Sequence, residues 1–359
     1  MSSTPELSVV MSVYNGEDYI EETLDSIINQ TYTNWELVVV NDCSKDSTAQ
    51  ILERYASKDE RIKVHTNEVN LKLPTSLNKA VSLAQGKYIL RMDADDICLP
   101  QRFEKQYAYM EENPDTDLSS TRFLTVKNGT YAPGGCGGRC DDKALKAMLL
   151  VANPILHPGV IAKAQVMKEL LYDVTLTCTE DLELWSRMAL KGCKLGILRE
   201  YLMVYRLHDK QITSTTLERQ HKEVLAIEEK YYSGMLSGID DRLKDFYISG
   251  IYFKENADAK KFCKFFSFLK KANKEKKTFS KDVLNYAMLE ILAEYKRQGI
   301  SKPDIIKAML RFNPLLLIKE MKRRKKDAKE DVAKCKNVAV SLGLKQIGGT
   351  DEFPIFARR

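Results

Sequence analysis

The sequence predicts an α/β protein with a mainly parallel β-sheet flanked by helices, followed by a helical and basic C-terminal region. Two observations support this fold class. Short apolar runs alternate with amphipathic helical segments through the first half of the chain, a pattern typical of parallel sheets covered by helices. Beyond about residue 217 only helical patterns continue. We therefore expect a sheet domain over residues 1–216, a helical region over 217–336 and a loosely ordered tail over 337–359.

The elements of the first half follow from residue spacing. Apolar runs that are nearly continuous indicate strands buried on both faces. Asn15 offers an N-cap for a helix whose apolar face runs through Ile28. The expected strands are Leu7–Val13, Glu36–Val40, Ile62–His65 and Tyr88–Met92. The other expected helices are Ser47–Tyr55, Leu77–Ala84 with Gly86 just beyond its end, and Arg102–Glu112.

Composition and charge narrow the class of protein. Hydrophobic residues make up 44% of the 359 residues and charged residues 30%, which is typical of a globular chain. The net charge of +6 is mild and does not by itself indicate nucleic-acid binding. Met1 to Val10 lack the pattern of a secretory leader, and the eight cysteines are scattered. We therefore expect a cytoplasmic protein without disulfides and, since no apolar stretch reaches about 18 residues, without a membrane-spanning helix.

Polar side chains follow three of the predicted strands at their carboxyl ends. Tyr14 and Asn15 follow the first strand, Asp42 follows the second, and Asp93 with Asp95 follows the fourth. Open α/β sheets bind ligands beyond the carboxyl ends of their strands. We expect these side chains to meet at one edge and to form a ligand site there.

The run Asp93-Ala94-Asp95-Asp96 places three carboxylates within four residues. Adjacent carboxylates repel one another unless a cation lies between them. Mg²⁺ and Mn²⁺ prefer oxygen ligands, typically one or two carboxylates together with substrate phosphates. Taken alone, the run fits a divalent-metal site and a solvated acidic turn about equally well.

Further motifs occur in order along the chain and favour the metal-site interpretation. They are Ser12-Val13-Tyr14-Asn15, Val40 to Ser44 with Asp46 and Thr48, Gly86 to Asp96, His157-Pro158, Glu180 to Trp185, and Tyr205-Arg206 with His208 and Gln211. On these segments the chain resembles family 2 glycosyltransferases, which have the Rossmann-like GT-A fold, from about Leu7 to Thr213. The resemblance implies an inverting hexosyltransferase that uses a nucleotide-sugar donor, with a UDP-sugar expected, in cell-surface polysaccharide or glycolipid synthesis.

The resemblance also implies roles for the matching residues. Asp42 would hydrogen-bond the nucleotide base, Tyr14 would lie against its ring, Asp93 would contact the ribose or the metal shell, and Asp95 would coordinate Mn²⁺ or Mg²⁺. One departure is Cys43, where the family usually has a glycine. The remaining predicted contacts are Val13, Asn15, Asn78, Arg91 and Ala94 for the donor, His208 for the metal, and His157, Glu180 and Trp185 for the acceptor.

Asp181 is the predicted general base. Sugar transfer to a hydroxyl group needs a proton acceptor near the incoming oxygen, and a positioned carboxylate supplies about 10²–10⁴-fold of rate. The plainer alternative is that Glu180 and Asp181 only stabilise a helix N-terminus. His157 and His208 have a similar alternative, because a lone histidine is more often structural than a ligand.

The segment from Gly134 to Gly138 is glycine-rich, but it does not follow the GxxxxGK[ST] pattern of a phosphate-binding loop. A mobile loop over the acceptor cleft is favoured. Cys136 and Cys140 are spaced as CxxxC without a second Cys or His pair at a zinc-site distance. We therefore expect ordinary loop cysteines there.

The C-terminal third is helical in pattern and rich in lysine and arginine. The expected helices are Glu223–Met235, Asp240–Lys254, Ala257–Lys271, Lys281–Gly299 and Pro303–Lys326. The basic run Lys322–Lys326 follows the apolar run Pro314–Ile318, a combination that suits an anionic membrane surface. A solvated helix face is the alternative, and nucleic acid is not expected because no binding module is recognisable.

Two other functions compete with sugar transfer. A nucleotidyltransferase would need a basic, glycine-rich loop after the first strand, where Tyr14-Asn15-Gly16-Glu17 is acidic instead. A non-catalytic nucleotide-sugar-binding scaffold is the third hypothesis. The joint presence of Asp42, Asp93, Asp95 and Asp181 favours an enzyme that transfers sugar to a saccharide or lipid-linked saccharide.

Overall fold

The computed structural model describes residues 4–134, 138–208, 217–238, 241–252, 258–297, 314–349 and 354–358. These residues form an eleven-stranded sheet. Its strands are β1 (Leu7–Val13), β2 (Trp35–Asn41), β3 (Ile62–Thr66), β4 (Tyr88–Arg91), β5 (Ile97–Cys98), β6 (Leu118–Lys127), β7 (Thr130–Gly134), β8 (Ile161–Lys163), β9 (Leu195–Arg206), β10 (Leu344–Gly349) and β11 (Pro354–Arg358).

The centre of the sheet is parallel, which confirms the predicted fold class. Strands β4, β1, β2 and β3 lie side by side in that order, and each neighbouring pair is parallel. On the other side of β4 the order continues through β8, β6, β7, β11 and β10, and these neighbours are antiparallel. The carboxyl ends of β1, β2 and β4 therefore share one edge of the sheet.

The helices largely follow the predicted spacing. They are α1 (Ile20–Ile28), α2 (Thr48–Ala56), α3 (Leu73–Leu83), α4 (Arg102–Glu112), α5 (Asp142–Met148), α6 (Ala164–Leu170), α7 (Glu180–Leu190), α8 (Leu217–Met235), α9 (Lys244–Phe246), α10 (Ala259–Lys276), α11 (Lys281–Arg297) and α12 (Pro314–Ser341).

The predicted start of the first helix is wrong. Tyr19, not Asn15, is the N-cap of α1. Asn15 has a φ of 53°, and its side chain binds a neighbouring loop. Gly86 also has a different task, since α3 ends at Leu83. A Cβ atom at Gly86 would lie 2.6 Å from the backbone nitrogen of Ser8, so glycine permits the close approach of this turn to β1.

The two faces of the sheet bury different hydrophobic clusters. Alternate residues of β1 and β2 point to opposite sides, as strand geometry requires. Val9 and Met11 join a cluster with α1, α2 and α4. Val10 and Val38 join a second cluster that contains residues of α3, α5 and α7 and also of α8, α10 and α11.

The C-terminal helices therefore share their core with the sheet. One cluster of buried side chains includes residues from before and after residue 217. The division into a sheet domain and a helical region at residue 217 therefore stays a prediction. The predicted helix Pro303–Lys326 corresponds in part to α12, and its residues 303–313 lie outside the described part of the chain. None of the described helices is long and apolar enough to cross a membrane.

The prediction of a loosely ordered tail is wrong for most of residues 337–359. Helix α12 continues to Ser341, and β10 and β11 form a hairpin that pairs with β7. Leu344 and Phe356 are buried beside Tyr131 and Leu124. A terminus becomes ordered when it is tied into a sheet in this way.

Candidate active site

Asp42 lies at the end of β2 and organises the loop before α3. Its buried carboxylate accepts hydrogen bonds from the backbone nitrogens of Leu71 at 2.8 Å and Lys72 at 2.9 Å. The side chain of Asn67 donates a third, at 2.8 Å. Lys72 has a φ of 71°, so the carboxylate holds a strained backbone position. Asp42 thus fixes the loop that borders the predicted binding position of the nucleotide base.

The loops after β1 and β2 are joined by reciprocal hydrogen bonds. The backbone nitrogen of Asn15 donates to Ser44 Oγ at 3.0 Å, and the backbone nitrogen of Lys45 donates to Asn15 Oδ1 at 2.8 Å. Gly16 donates its backbone N–H to Thr48 Oγ1 at 2.8 Å. Tyr14, just before these contacts, leaves 49% of its surface exposed. Its ring is therefore available to a ligand at this edge.

Cys43 lies at the turn position for which the resemblance implies a glycine. Its φ is 62°, in the left-handed region that favours glycine. Cys43 Sγ contacts the Lys45 ammonium at 3.1 Å and the Glu68 carbonyl at 3.3 Å. The turn is kept in spite of the strain.

The acidic run after β4 forms a compact group of carboxylates. One oxygen from each of Asp93, Asp95 and Asp96 lies within 4.8 Å of the others. Asp96 is fully buried, accepts the backbone N–H of Arg206 at 2.9 Å, and has no hydrogen-bond partner for Oδ2 among the described residues. Burial, helped by Asp93 and Asp95, raises the pKa of Asp96 well above its ordinary value.

Cationic and imidazole groups contact the two outer carboxylates. The buried Arg91 forms an ion pair with Asp93. His208 Nε2 lies 2.8 Å from Asp95 Oδ2, and the His208 ring stacks on Tyr19 at 5.0 Å between centroids. The structure thus brings His208, which is 113 residues away in sequence, to the predicted metal ligand Asp95.

The donor atoms of this group fit a divalent cation. All three carboxylates offer the hard oxygen ligands that Mg²⁺ and Mn²⁺ prefer. The unpartnered, buried Oδ2 of Asp96 is the kind of atom that a nearby positive charge would stabilise. Asp93, Asp95 and Asp96, with His208 beside them, are therefore the residues that would hold a metal ion.

Asp181 lies in the first turn of α7 beside Glu180. Its Oδ2 accepts a hydrogen bond from Asn153 Nδ2 at 2.7 Å, and its Oδ1 accepts one from the backbone nitrogen of Leu182 at 2.7 Å. Burial raises the pKa of Asp181 despite these bonds. Burial and the Asp181 charge raise the pKa of Glu180 to about 7. The paired carboxyls have the raised proton affinity that a general base requires.

His157 supports the same pair from behind. Its Nε2 lies 2.8 Å from the Tyr172 hydroxyl, and its Nδ1 lies 3.8 Å from Glu180 Oε1. Burial, with the Arg91 charge, lowers the pKa of His157 well below its ordinary value. Trp185 packs edge-on against it, with 5.8 Å between the ring centroids.

Arg91 links the two halves of the site electrostatically. Besides its ion pair with Asp93, its charge lowers the pKa of Glu180 and of Asp181 against the effect of burial. Arg91 is itself buried, so it stands behind both acidic groups. The motifs after β4 and at the start of α7, separate in sequence, are thus coupled electrostatically through one guanidinium group.

Two predicted contacts are not supported by the structure. Trp185 is fully buried, so it backs His157 instead of facing an acceptor. The side chain of Asn78 is engaged on both ends by the backbone of Tyr172, at 2.9 Å and 2.8 Å. Both residues hold the site together. The glycine-rich loop lies outside the described residues at positions 135–137.

Sequence reasoning missed Asn153, Tyr172 and Asp96 as members of the site. Asn153 opens the same turn as His157, and that proximity was the available signal. Tyr172 carries no such signal, because it lies in an irregular segment after α6. Asp96 belongs to the acidic run, but the sequence assigns the metal to Asp93, Asp95 and His208. The direct contacts predicted for Val13 and Ala94 stay predictions.

Comparison with known proteins identifies the class of enzyme. Residues 8–156 match the sequence model of the family described as Glycosyl transferase family 2. An uncharacterized glycosyltransferase of Methanocaldococcus jannaschii is 36% identical over 219 residues, which cover 60% of this chain and 76% of the relative. The O-antigen biosynthesis glycosyltransferase WbnJ of Escherichia coli is 33% identical over 224 residues, covering 59% of this chain and 83% of the relative.

Solved structures agree with the fold. TarS 1-349 of S. aureus, in complex with UDP-GlcNAc, aligns with a TM-score of 0.56 at 20% identity over 82% of this chain and 92% of that chain. The mannosyltransferase PcManGT of Pyrobaculum calidifontis, in complex with GDP-Man and Mn²⁺, aligns with a TM-score of 0.52 at 17% identity over 90% of this chain and 88% of that chain. At these identities the likeness concerns the fold alone.

The chain belongs to glycosyl transferase family 2 and is a glycosyltransferase with a GT-A fold. The predicted family is thereby confirmed. The competing hypothesis of a nucleotidyltransferase is therefore rejected.

Proposed function

We propose that this enzyme transfers a sugar, with inversion, from a nucleotide-diphosphate sugar to a hydroxyl group of a saccharide or lipid-linked saccharide. A UDP-sugar is the expected donor, and cell-surface polysaccharide or glycolipid is the expected product. The observation that carries the proposal is the joining of the Asp93–Asp96 carboxylates to the Glu180–Asp181 pair through Arg91. The relatives' names, including O-antigen biosynthesis, point the same way.

The residues divide the work by position. Tyr14 offers an exposed ring to the base, and Asp42 holds the loop around it. A divalent cation held by Asp93, Asp95 and Asp96 would neutralise charge on the departing diphosphate. Asp181 accepts the proton of the acceptor hydroxyl, while Asn153 keeps its carboxylate in place. One base then suffices for a single displacement, which inverts the sugar carbon.

The proposal is tested by separating donor binding from turnover. A panel of nucleotide sugars is titrated by calorimetry with Mn²⁺ and then with EDTA, and nucleotide release from the bound donor is measured. Asp181→Asn should leave donor affinity within about twofold and lower turnover about 10²–10⁴-fold, because the amide cannot accept the proton. Asp95→Ala should weaken Mn²⁺-dependent donor binding.

Asp115→Asn is the matched control, since its side chain is 81% exposed and pairs with Lys194 on the surface. It should behave like the wild type. Full turnover in Asp181→Asn would remove Asp181 as the base. Binding of a donor without any turnover in the wild type would favour a non-catalytic scaffold, and no binding of any nucleotide sugar would overturn the proposal.

We further propose that α12 brings the enzyme to an anionic membrane surface as a peripheral protein. Lys322, Lys325 and Lys326 are exposed there, and Ile318 leaves 51% of its surface exposed. Each basic residue near such a surface adds about 1 kcal/mol. Reversing Lys325 and Lys326 to Glu should weaken co-sedimentation with phosphatidylglycerol vesicles at least tenfold. Equal sedimentation of wild type and variant would refute the proposal, and Lys345→Glu on β10 is the control.

A further inference from the structure

The side chain of Glu223 connects the loop before the predicted base to the helical C-terminal region. Glu223 of α8 accepts hydrogen bonds from Thr179 Oγ1 at 2.8 Å and from Thr177 Oγ1 at 3.2 Å. Cys178 Sγ lies 3.5 Å from the same carboxylate. Three consecutive residues thus converge on one carboxylate directly before α7, the helix whose first turn carries Asp181.

The local geometry of α7 shows that this contact replaces an ordinary one. Thr179 is the N-cap residue of α7, and a threonine there normally accepts a hydrogen bond from a backbone N–H of the first turn. Its side chain makes no such capping bond. The hydroxyl donates to Glu223 instead. The Thr179 hydroxyl thus makes no capping bond to α7 and instead holds the loop against α8.

The surroundings of Glu223 favour its ionised form. Its side chain is 10% exposed, and Arg219 Nε donates to it at 3.0 Å from one turn earlier in α8. Burial would raise its pKa, but the hydrogen bonds from Thr179, Arg219 and Cys178 lower it overall. An ionised acceptor makes stronger hydrogen bonds than a neutral one.

We propose that Glu223 is a positioning residue for the transfer reaction, holding the 177–179 segment so that Asp181 faces the acceptor. The proposal rests on the proposed role of Asp181 and assigns a positioning role to a residue of the helical region. Apolar packing of Val224 and Ile227 of α8 in the cluster that contains Leu182 and Trp185 fixes the two helices. Glu223 adds the polar contact that sets the start of α7. Small misplacement of a catalytic group can cost about 10²-fold in rate.

The test uses Glu223→Ala, Glu223→Gln and Thr179→Val in the full chain, with Glu218→Gln as control. Glu218 is on the same helix, and its side chain is 86% exposed. Mn²⁺-dependent nucleotide release from the donor identified by calorimetry is measured, together with the KM for donor and the melting temperature. We expect Glu223→Ala and Thr179→Val to lower kcat at least about tenfold while the donor KM stays within about twofold.

Glu223→Gln should be intermediate, because its amide oxygen still accepts one hydroxyl. The double variant Glu223→Gln with Thr179→Val should lose little more than Thr179→Val alone, since both changes break the same contact. Unchanged kcat in Glu223→Ala would overturn the proposal. Equal changes in kcat and donor KM with a lowered melting temperature would also overturn it, because they would show a general loss of structure.

Asp181→Asn is measured in parallel to separate this proposal from the function on which it rests. If Asp181→Asn abolishes turnover and Glu223→Ala does not lower it, the positioning role alone fails. If Asp181→Asn keeps full turnover, the assignment of the base fails, and the positioning proposal fails with it.

Discussion

Glu228 of α8 is a buried acid whose removal should make the protein more stable at high pH. It is fully buried, and neither carboxylate oxygen has a hydrogen-bond partner among the described residues. Burial raises the pKa of Glu228 well above its ordinary value, and the nearby Tyr247 hydroxyl offsets only part of the effect. The folded protein therefore holds a proton on Glu228 that the unfolded chain releases in a lower pH range.

The sign and the size of the effect follow from proton linkage. Because the folded state binds more protons than the unfolded state, the free energy of unfolding falls as pH rises. The stability from this proton is fully present below the unfolded pKa of about 4.3 and is lost as pH rises through the folded pKa. The slope is about 1.4 kcal/mol for each pH unit in that window. Glu228→Gln carries no titrating group, so this part of the slope disappears.

The measurement is a denaturant titration of wild type and Glu228→Gln from about pH 5 to about pH 8. The variant's free energy of unfolding minus that of the wild type should increase with pH. Glu229→Gln is the control, because its side chain is 43% exposed and pairs with Lys244, and its difference from wild type should be nearly flat. A flat difference for Glu228→Gln, or one that decreases, would show that Glu228 is ionised in the folded protein.

Three further predictions concern the turn at Cys43, the ion pair between Arg122 of β6 and Asp331 of α12, and the Glu180–Asp181 pair. Cys43→Gly should raise the free energy of unfolding by about 1 kcal/mol in denaturant titrations, since φ is 62°; no gain would mean that the thiol contacts offset the strain. Arg122→Ala should lower it by about 1.5–3 kcal/mol, because the buried Asp331 loses one of its two cationic partners and keeps only Arg199 at 3.2 Å among the described residues; a loss below about 1 kcal/mol would contradict a buried pair. Wild-type turnover should rise as pH rises through about 7, the pKa of Glu180, because an ionised Glu180 beside Asp181 raises the proton affinity of the Asp181 carboxylate, which accepts the proton of the acceptor hydroxyl. Glu180→Gln should remove that rise, and an unchanged pH–kcat profile would refute the reasoning.

The parallel part of the fold was predictable because its signals are local. Leu7–Val13 is buried along nearly its whole length, and a strand of that kind must be nearly continuous in apolar residues. The topological rule for open sheets then places Asp42 and Asp93 at one edge without any knowledge of contacts. The C-terminal hairpin follows no such rule. Phe356 pairs with Tyr131 across more than half of the chain, and nothing in either segment encodes the other.

The role of a side chain could be predicted only where a residue of that type has a single plausible function at its position in the fold. Glu180 and Asp181 show the limit, because acidic residues in the first turn of a helix are favoured with or without catalysis. What separates the two explanations is non-local. A capping pair needs only its own helix, whereas Asp181 receives Asn153 from 28 residues away and shares the charge of Arg91 with Asp93. Thr179 is a second example of a non-local contact. It occupies the N-cap position of α7, but its hydroxyl donates to Glu223 of α8. Contacts that helix stability does not require are therefore the strongest structural reason to regard the start of α7 as part of a catalytic site.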